Sequence, residues 1–184
     1  MPPRLRRFTL TLHVGSSVGL LGAISAFLAL AIAGLASRDA QTIHAAYPAM
    51  RLIARLVVVP LAFVSLLVGV VQSLGTPWGL IRHYWVLVKL LATAFATAVL
   101  LLKIPLIDRA AQLATETSEP GSALRELGVQ LVVHSAGGLC LLLVPLVLSI
   151  YKPPGTTRYG WRKQLEPHLP PPCIIGHVPL GHSD

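Results

Sequence analysis

The side chains of His13, Arg82, His83, Lys89 and His134 have the chemistry to bind a ligand or move a proton inside an otherwise apolar chain. Imidazole is a metal ligand and a proton carrier near neutral pH, and lysine and arginine hold carboxylates and phosphates. Lys89 interrupts HYWVLVKLLATAFATAVLLLK, residues 83–103, which is otherwise almost wholly apolar. The uncharged stretch between Lys89 and Lys103 is shorter than the roughly 20 residues a helix needs to cross a bilayer. Either the segment stays out of the membrane, or it crosses with a lysine inside. A lysine there is costly and usually functional, which makes Lys89 the candidate catalytic residue. The purely structural alternative is a long stem that carries the charge back to the interface.

The composition favours crossing. Only 12% of the 184 residues are charged, against about 25% in a soluble domain, and 54% are hydrophobic. Residues 8–36, 56–81 and 127–151 hold no Lys, Arg, Asp or Glu, and each is long enough to span. Residues 83–102 make a fourth span if Lys89 is tolerated. The expected fold is all-α: a polytopic membrane protein whose four-transmembrane-helix bundle fills residues 1–155, with helices at about 8–36, 48–74, 84–104 and 123–151. Pro48 suits a first helical turn, Gly75-Thr76-Pro77 breaks the second helix, Pro105 ends the third, and Pro60 and Pro145 predict kinks.

The apolar region of the first span exceeds that of a signal peptide, so a retained helix is expected. Arg4, Arg6 and Arg7 precede it, and Lys152, Arg158, Arg162 and Lys163 follow the last span, which predicts an N-in, C-in orientation. Residues 156–184 are proline-rich and read as a cytoplasmic, largely disordered tail. Cys173, His177 and His182 in that tail fit no standard zinc spacing, and no disulfide with Cys140 is expected. The net charge of +8 is spread over the span ends, which suits membrane lipids as partners and not nucleic acid.

Helical periodicity sorts the faces. Arg51, Arg55, Val58, Ala62, Ser65, Gly69 and Gln72 share one face of the second helix, and Arg82, Trp85, Lys89, Thr93 and Ala96 share one of the third. In the fourth, His134 lies with Gln130, Gly137 and Gly138, where a flat ligand or another helix can approach closely. In the first, His13 stands about 160° from the stripe Gly15, Gly19, Gly22. If His13 faces the bundle, the stripe is left for a second copy of the chain, a homo-oligomer. His13 and Lys89 each lie about 7–8 Å inside the same membrane edge, with His83 at that interface, so the three can meet. His134 is about 16 Å deeper than His13, whereas two ligands of one metal ion sit about 4 Å apart, so His13 and His134 are candidate metal ligands only as separate sites.

The motifs GTPWGLIRHYWVLVKLL, HSAGGL and SIYKP resemble those of a family of small four-helix bacterial integral membrane proteins of unknown function. LTLHVGSSVGLLGA and YWVLVKLL are also similar to haem-dependent bacterial protoporphyrinogen oxidases, and the first helix to that of the copper-resistance membrane protein CopD. That likeness implies a bacterial cytoplasmic (inner) membrane location, His13 as a haem ligand and Lys89 as a functional lysine. The tryptophan that follows the histidine in those families is replaced here by GSSVGLLG.

Three functions are open on these grounds. The first is b-type haem binding with redox or porphyrin-related activity. Its cofactor-binding residues would be His13, His83, His134, Arg82 and Gly138, with Lys89 and Arg82 on carboxylates. The second is a non-catalytic membrane subunit or scaffold that packs through small-residue faces. The third is a small metal or solute permease lined by His134, Arg55 and Gln72. The expected lack of a carboxylate inside any span argues against a proton-coupled transporter.

Overall fold

A computed structural model describes residues 2–75, 84–116 and 121–151. Their elements are helices: α1 (Pro3–Ala36), α2 (Ala40–Ile53), a π-helical turn (Ala54–Val58), α3 (Val59–Gly75), α4 (Tyr84–Glu116) and α5 (Ser122–Tyr151). Among them are four helices long and apolar enough to cross a membrane, α2, the π turn and α3 together forming the second. This is the architecture of a multi-pass integral membrane protein. Each span packs on its neighbours in sequence and the first packs on the last, which closes the ring α1, α2–α3, α4, α5.

Local chemistry sets the boundaries. Pro3 sits in the first turn of α1, where its missing N–H costs no helical hydrogen bond. The backbone turns extended at Ser37, and Asp39 starts the next helix by accepting hydrogen bonds from the Gln41 and Thr42 amides at 3.3 and 3.0 Å. The second span therefore opens at Ala40 and not at Pro48, which lies inside α2. The side-chain hydrogen bond from Thr42, followed by those amides, holds the Asp39 carboxyl below its usual range. A depressed carboxylate stabilises the fold above its unfolded pKa and loses that contribution as pH falls through the folded value. The protection of the Gln41 and Thr42 amides, measured against their intrinsic exchange rates, is thus expected to fall below about pH 4. Asp39→Ala should show low protection at these amides at every pH.

Pro60 cannot donate to the Leu56 carbonyl, and the preceding turn widens so that the Val59 N–H bonds the Ala54 carbonyl. The line Met50, Ala54, Val58, Ala62, Ser65 is buried, and Arg51 and Arg55 fall beside it at the α4 contact. The two arginines therefore do not share the inward face expected for them. Pro105 likewise does not end the third span. Helix α4 continues because Ile107, Ala110 and Ala114 pack beyond it against Ile43, Tyr47, Met50 and Leu124. That extension carries a carboxylate, Asp108, in the same helix as Lys89. Helix α5 also runs through Pro145.

Two clusters make the interior. One, at the α1–α2 turn, holds Phe27, Ala31, Tyr47, Met50, Ile107 and Leu131. The other holds Leu20, Val58, Ala62 and Leu142. Large apolar side chains such as Val18, Leu67, Leu91 and Val133 face outwards, as lipid-facing positions do.

Candidate functional site

His13 faces the bundle. Its Nδ1–H donates to the Ser65 carbonyl at 3.1 Å, since a carbonyl can only accept. Ser17 and Ser65 share a hydroxyl hydrogen bond at 2.9 Å, and Ser16 donates to the His13 carbonyl at 3.0 Å. Gly69 makes the approach feasible, because a β-carbon there would stand 3.1 Å from His13 Cε1. Lys89 lies near enough to act electrostatically on this ring. It is half-buried, and its carbonyl accepts from Thr93 Oγ1 at 2.9 Å. With His13 inward, the glycine stripe divides. A β-carbon at Gly19 would meet Leu61, whereas at Gly15 or Gly22 it would meet nothing within 4 Å.

Gly69→Leu is expected to push the imidazole off Ser65, at a cost of about 1–3 kcal/mol for overpacking. Thermal unfolding in detergent measures it. Adding His13→Ala to Gly69→Leu should recover part of the loss, because the clash needs both groups.

The second constellation surrounds a cavity of about 460 Å³ between α1, the second span, α4 and α5. Its walls are apolar, with Leu20, Phe27, Val58, Leu100 and Leu142 among them. Phe95, Val133 and Gly137 line it and are also exposed on the outer surface, so it opens sideways between α4 and α5, towards lipid. Among the described residues, His134 and Lys103 are its titratable lining residues. The His134 Nδ1–H donates to the Gln130 carbonyl one turn back at 2.6 Å. That bond leaves Nε2 with its lone pair in the neutral ring, the arrangement in which a backbone-oriented histidine ligates a metal. Gly137 and Gly138 share the wall, and a β-carbon at either would meet nothing within 4 Å.

The two histidines belong to different places. His134 shares its cavity with α1 residues between Leu20 and Phe27, roughly 10–21 Å further along that helix than His13, and His13 does not line this cavity. Among the described residues no three His, Cys, Asp or Glu side chains group to hold a metal ion. Arg82, His83 and the tail residues Cys173, His177 and His182 lie outside the described residues. Arg55 and Gln72 do not line the cavity, and Arg55 is engaged with Asp108, so the permease path is not assembled there.

Sequence reasoning missed Lys103. Reading Pro105 as a terminator made it a helix-end charge, but it shares a helix face with Ala96, Val99, Leu100 and Ile107, all on the cavity wall. That spacing was available in the sequence.

No family model, no curated protein and no solved structure matches the chain, so the resemblances rest on the quoted motifs alone.

Proposed function

We propose that this multi-pass membrane protein holds a flat, apolar, carboxylate-bearing cofactor of the b-type haem class in the cavity between its helices. The observation that carries this reading is His134, an imidazole with Nδ1–H fixed to the backbone on the wall of an apolar cavity of about 460 Å³. That volume is in the usual range for small-molecule sites, roughly 300–1,000 Å³. A porphyrin would bring its own nitrogen ligands for iron, so a single histidine of the chain would suffice where the described residues hold no cluster of metal-binding side chains. Bound haem would supply one-electron chemistry. The chain's own residues would then do three things: His134 would position the iron, Gly137 and Gly138 would leave clearance for the ring, and Lys103 would meet a propionate. The resemblance favours His13 as ligand; the cavity favours His134.

The membrane in this reading is the bacterial cytoplasmic membrane, as the resemblance implies, and both termini lie inside on the strength of the basic residues that flank the first and last spans. The experiment is a haemin titration of the protein purified in mild detergent. A Soret shift that saturates at one haem per chain supports the proposal. A linear, unsaturated response like that of detergent alone sinks it.

A second reading, a non-catalytic subunit or scaffold, draws on Gly15 and Gly22, which face outwards on α1 beside exposed Val14 and Val18. Such a face lets a second helix approach closely. Under this reading the protein purifies without cofactor and self-associates, and Gly15→Leu dissociates it.

A further inference from the structure

We propose that Arg51, Asp108 and Arg55 form a binding site for the phosphate of an anionic phospholipid at one edge of the bilayer. Both guanidiniums converge on a single carboxylate. Arg51 Nε lies 3.0 Å from Asp108 Oδ1, and Arg55 reaches the same carboxylate with Nε, at 3.2 Å, and with Nη2. Two cations on one anion leave the cluster one positive charge in excess. Each guanidinium has five N–H donors, so these contacts leave donors over for an acceptor from outside. The arginine side chains are 44% and 50% exposed and the aspartate 20%, so the cations face out and the carboxylate sits behind them.

The position fits a lipid better than a free anion. Residues 56–75 carry no Lys, Arg, Asp or Glu, and as helix they measure about 30 Å, the thickness of the hydrocarbon core. Arg55 therefore falls at the edge of that core and Arg51 one turn beyond it, at headgroup level. On the hydrocarbon side of the cluster stand Leu56, 70% exposed, and Leu102, 77% exposed. A phosphate on the guanidiniums would place its acyl chains along these leucines. An anionic lipid cancels the excess charge; a zwitterionic one brings a second cation.

The test uses the full chain in mild detergent, with lipid retention read by native mass spectrometry against equal amounts of phosphatidylglycerol and phosphatidylcholine. The expected result is a preference of about fivefold or more for phosphatidylglycerol, the usual contribution of one basic residue near a membrane surface. Arg51→Gln makes the cluster neutral, keeps the Arg55–Asp108 pair, and should abolish the preference. Arg109→Gln removes a neighbouring exposed charge of α4 and should preserve it. No preference in the unaltered protein, or an equal loss in both variants, overturns the proposal. Displacement of phosphatidylglycerol by excess inorganic phosphate overturns the lipid assignment in favour of a free anion.

Discussion

Alanine at His134 is expected to abolish haem retention, while alanine at His13 leaves it in place. Among the described residues His134 contributes the one imidazole on the wall of the apolar cavity, and its ring is pre-oriented by the Gln130 carbonyl. Without it, only apolar contact and Lys103 would hold the cofactor, and the iron would lose its protein ligand. His13→Ala instead removes the contact to Ser65 and the fill against Gly69, a change in packing at a distance from the cavity. Pyridine-haemochrome analysis of the two purified variants gives the ratio directly. A second arm separates ligation from collapse: His134→Gly supplied with imidazole should regain a Soret band, because free imidazole can enter the space the side chain leaves. Loss in His13→Ala with retention in His134→Ala would move the site to the histidine favoured by resemblance.

Tyr47→Ala is expected to give the largest loss of stability, about 3–5 kcal/mol by the usual cost of deleting a buried aromatic ring. Tyr47 is only 2% exposed and lies in the cluster that joins all four spans at the α1–α2 turn. Its ring is received by glycines. A β-carbon at Gly34 would stand 3.0 Å from Cε2, and one at Gly128 would stand 2.6 Å from the hydroxyl. Neither helix can close over the hole without shifting the other, so the void would persist. Equilibrium unfolding in mixed detergent measures the loss. The same geometry makes Gly128→Ala destabilising, and Tyr47→Phe in that background should recover part of the loss, since it deletes the atom in the way. A loss below about 1 kcal/mol for Tyr47→Ala would mean that this end repacks freely, against the rigidity expected of a close-packed interior.

The spans were legible in the sequence because bilayer thickness imposes a length that composition reveals directly. Their ends were less so. Pro48 marked the expected start of the second span, yet the helix begins at Ala40, because the Asp39 side chain satisfies two amides of its first turn. Pro105 is a helix breaker locally, and only tertiary packing of Ile107, Ala110 and Ala114 carries α4 past it. No local pattern announces that packing. Helical periodicity placed Val58, Ala62, Ser65 and Gly69 on one face, and the first three are buried while Gly69 receives His13. The same periodicity misplaced Arg51 and Arg55, because the line of buried residues passes through Met50 and Ala54 beside them, across the π turn. His13 and His134 were legible as residues but not as environments. Which of them borders a cavity depends on how four helices diverge, and spacing along one helix does not encode that.

A cofactor at His134 between the helices would show in the absorption spectrum of the protein purified in mild detergent from haem-replete cells, oxidised and then dithionite-reduced. The expected result is a Soret band, sharpened α and β bands on reduction, and near-stoichiometric haem. A featureless spectrum from monodisperse, helical protein would contradict it and leave the subunit reading, carried by the outward glycines of α1, as the better description of the molecule.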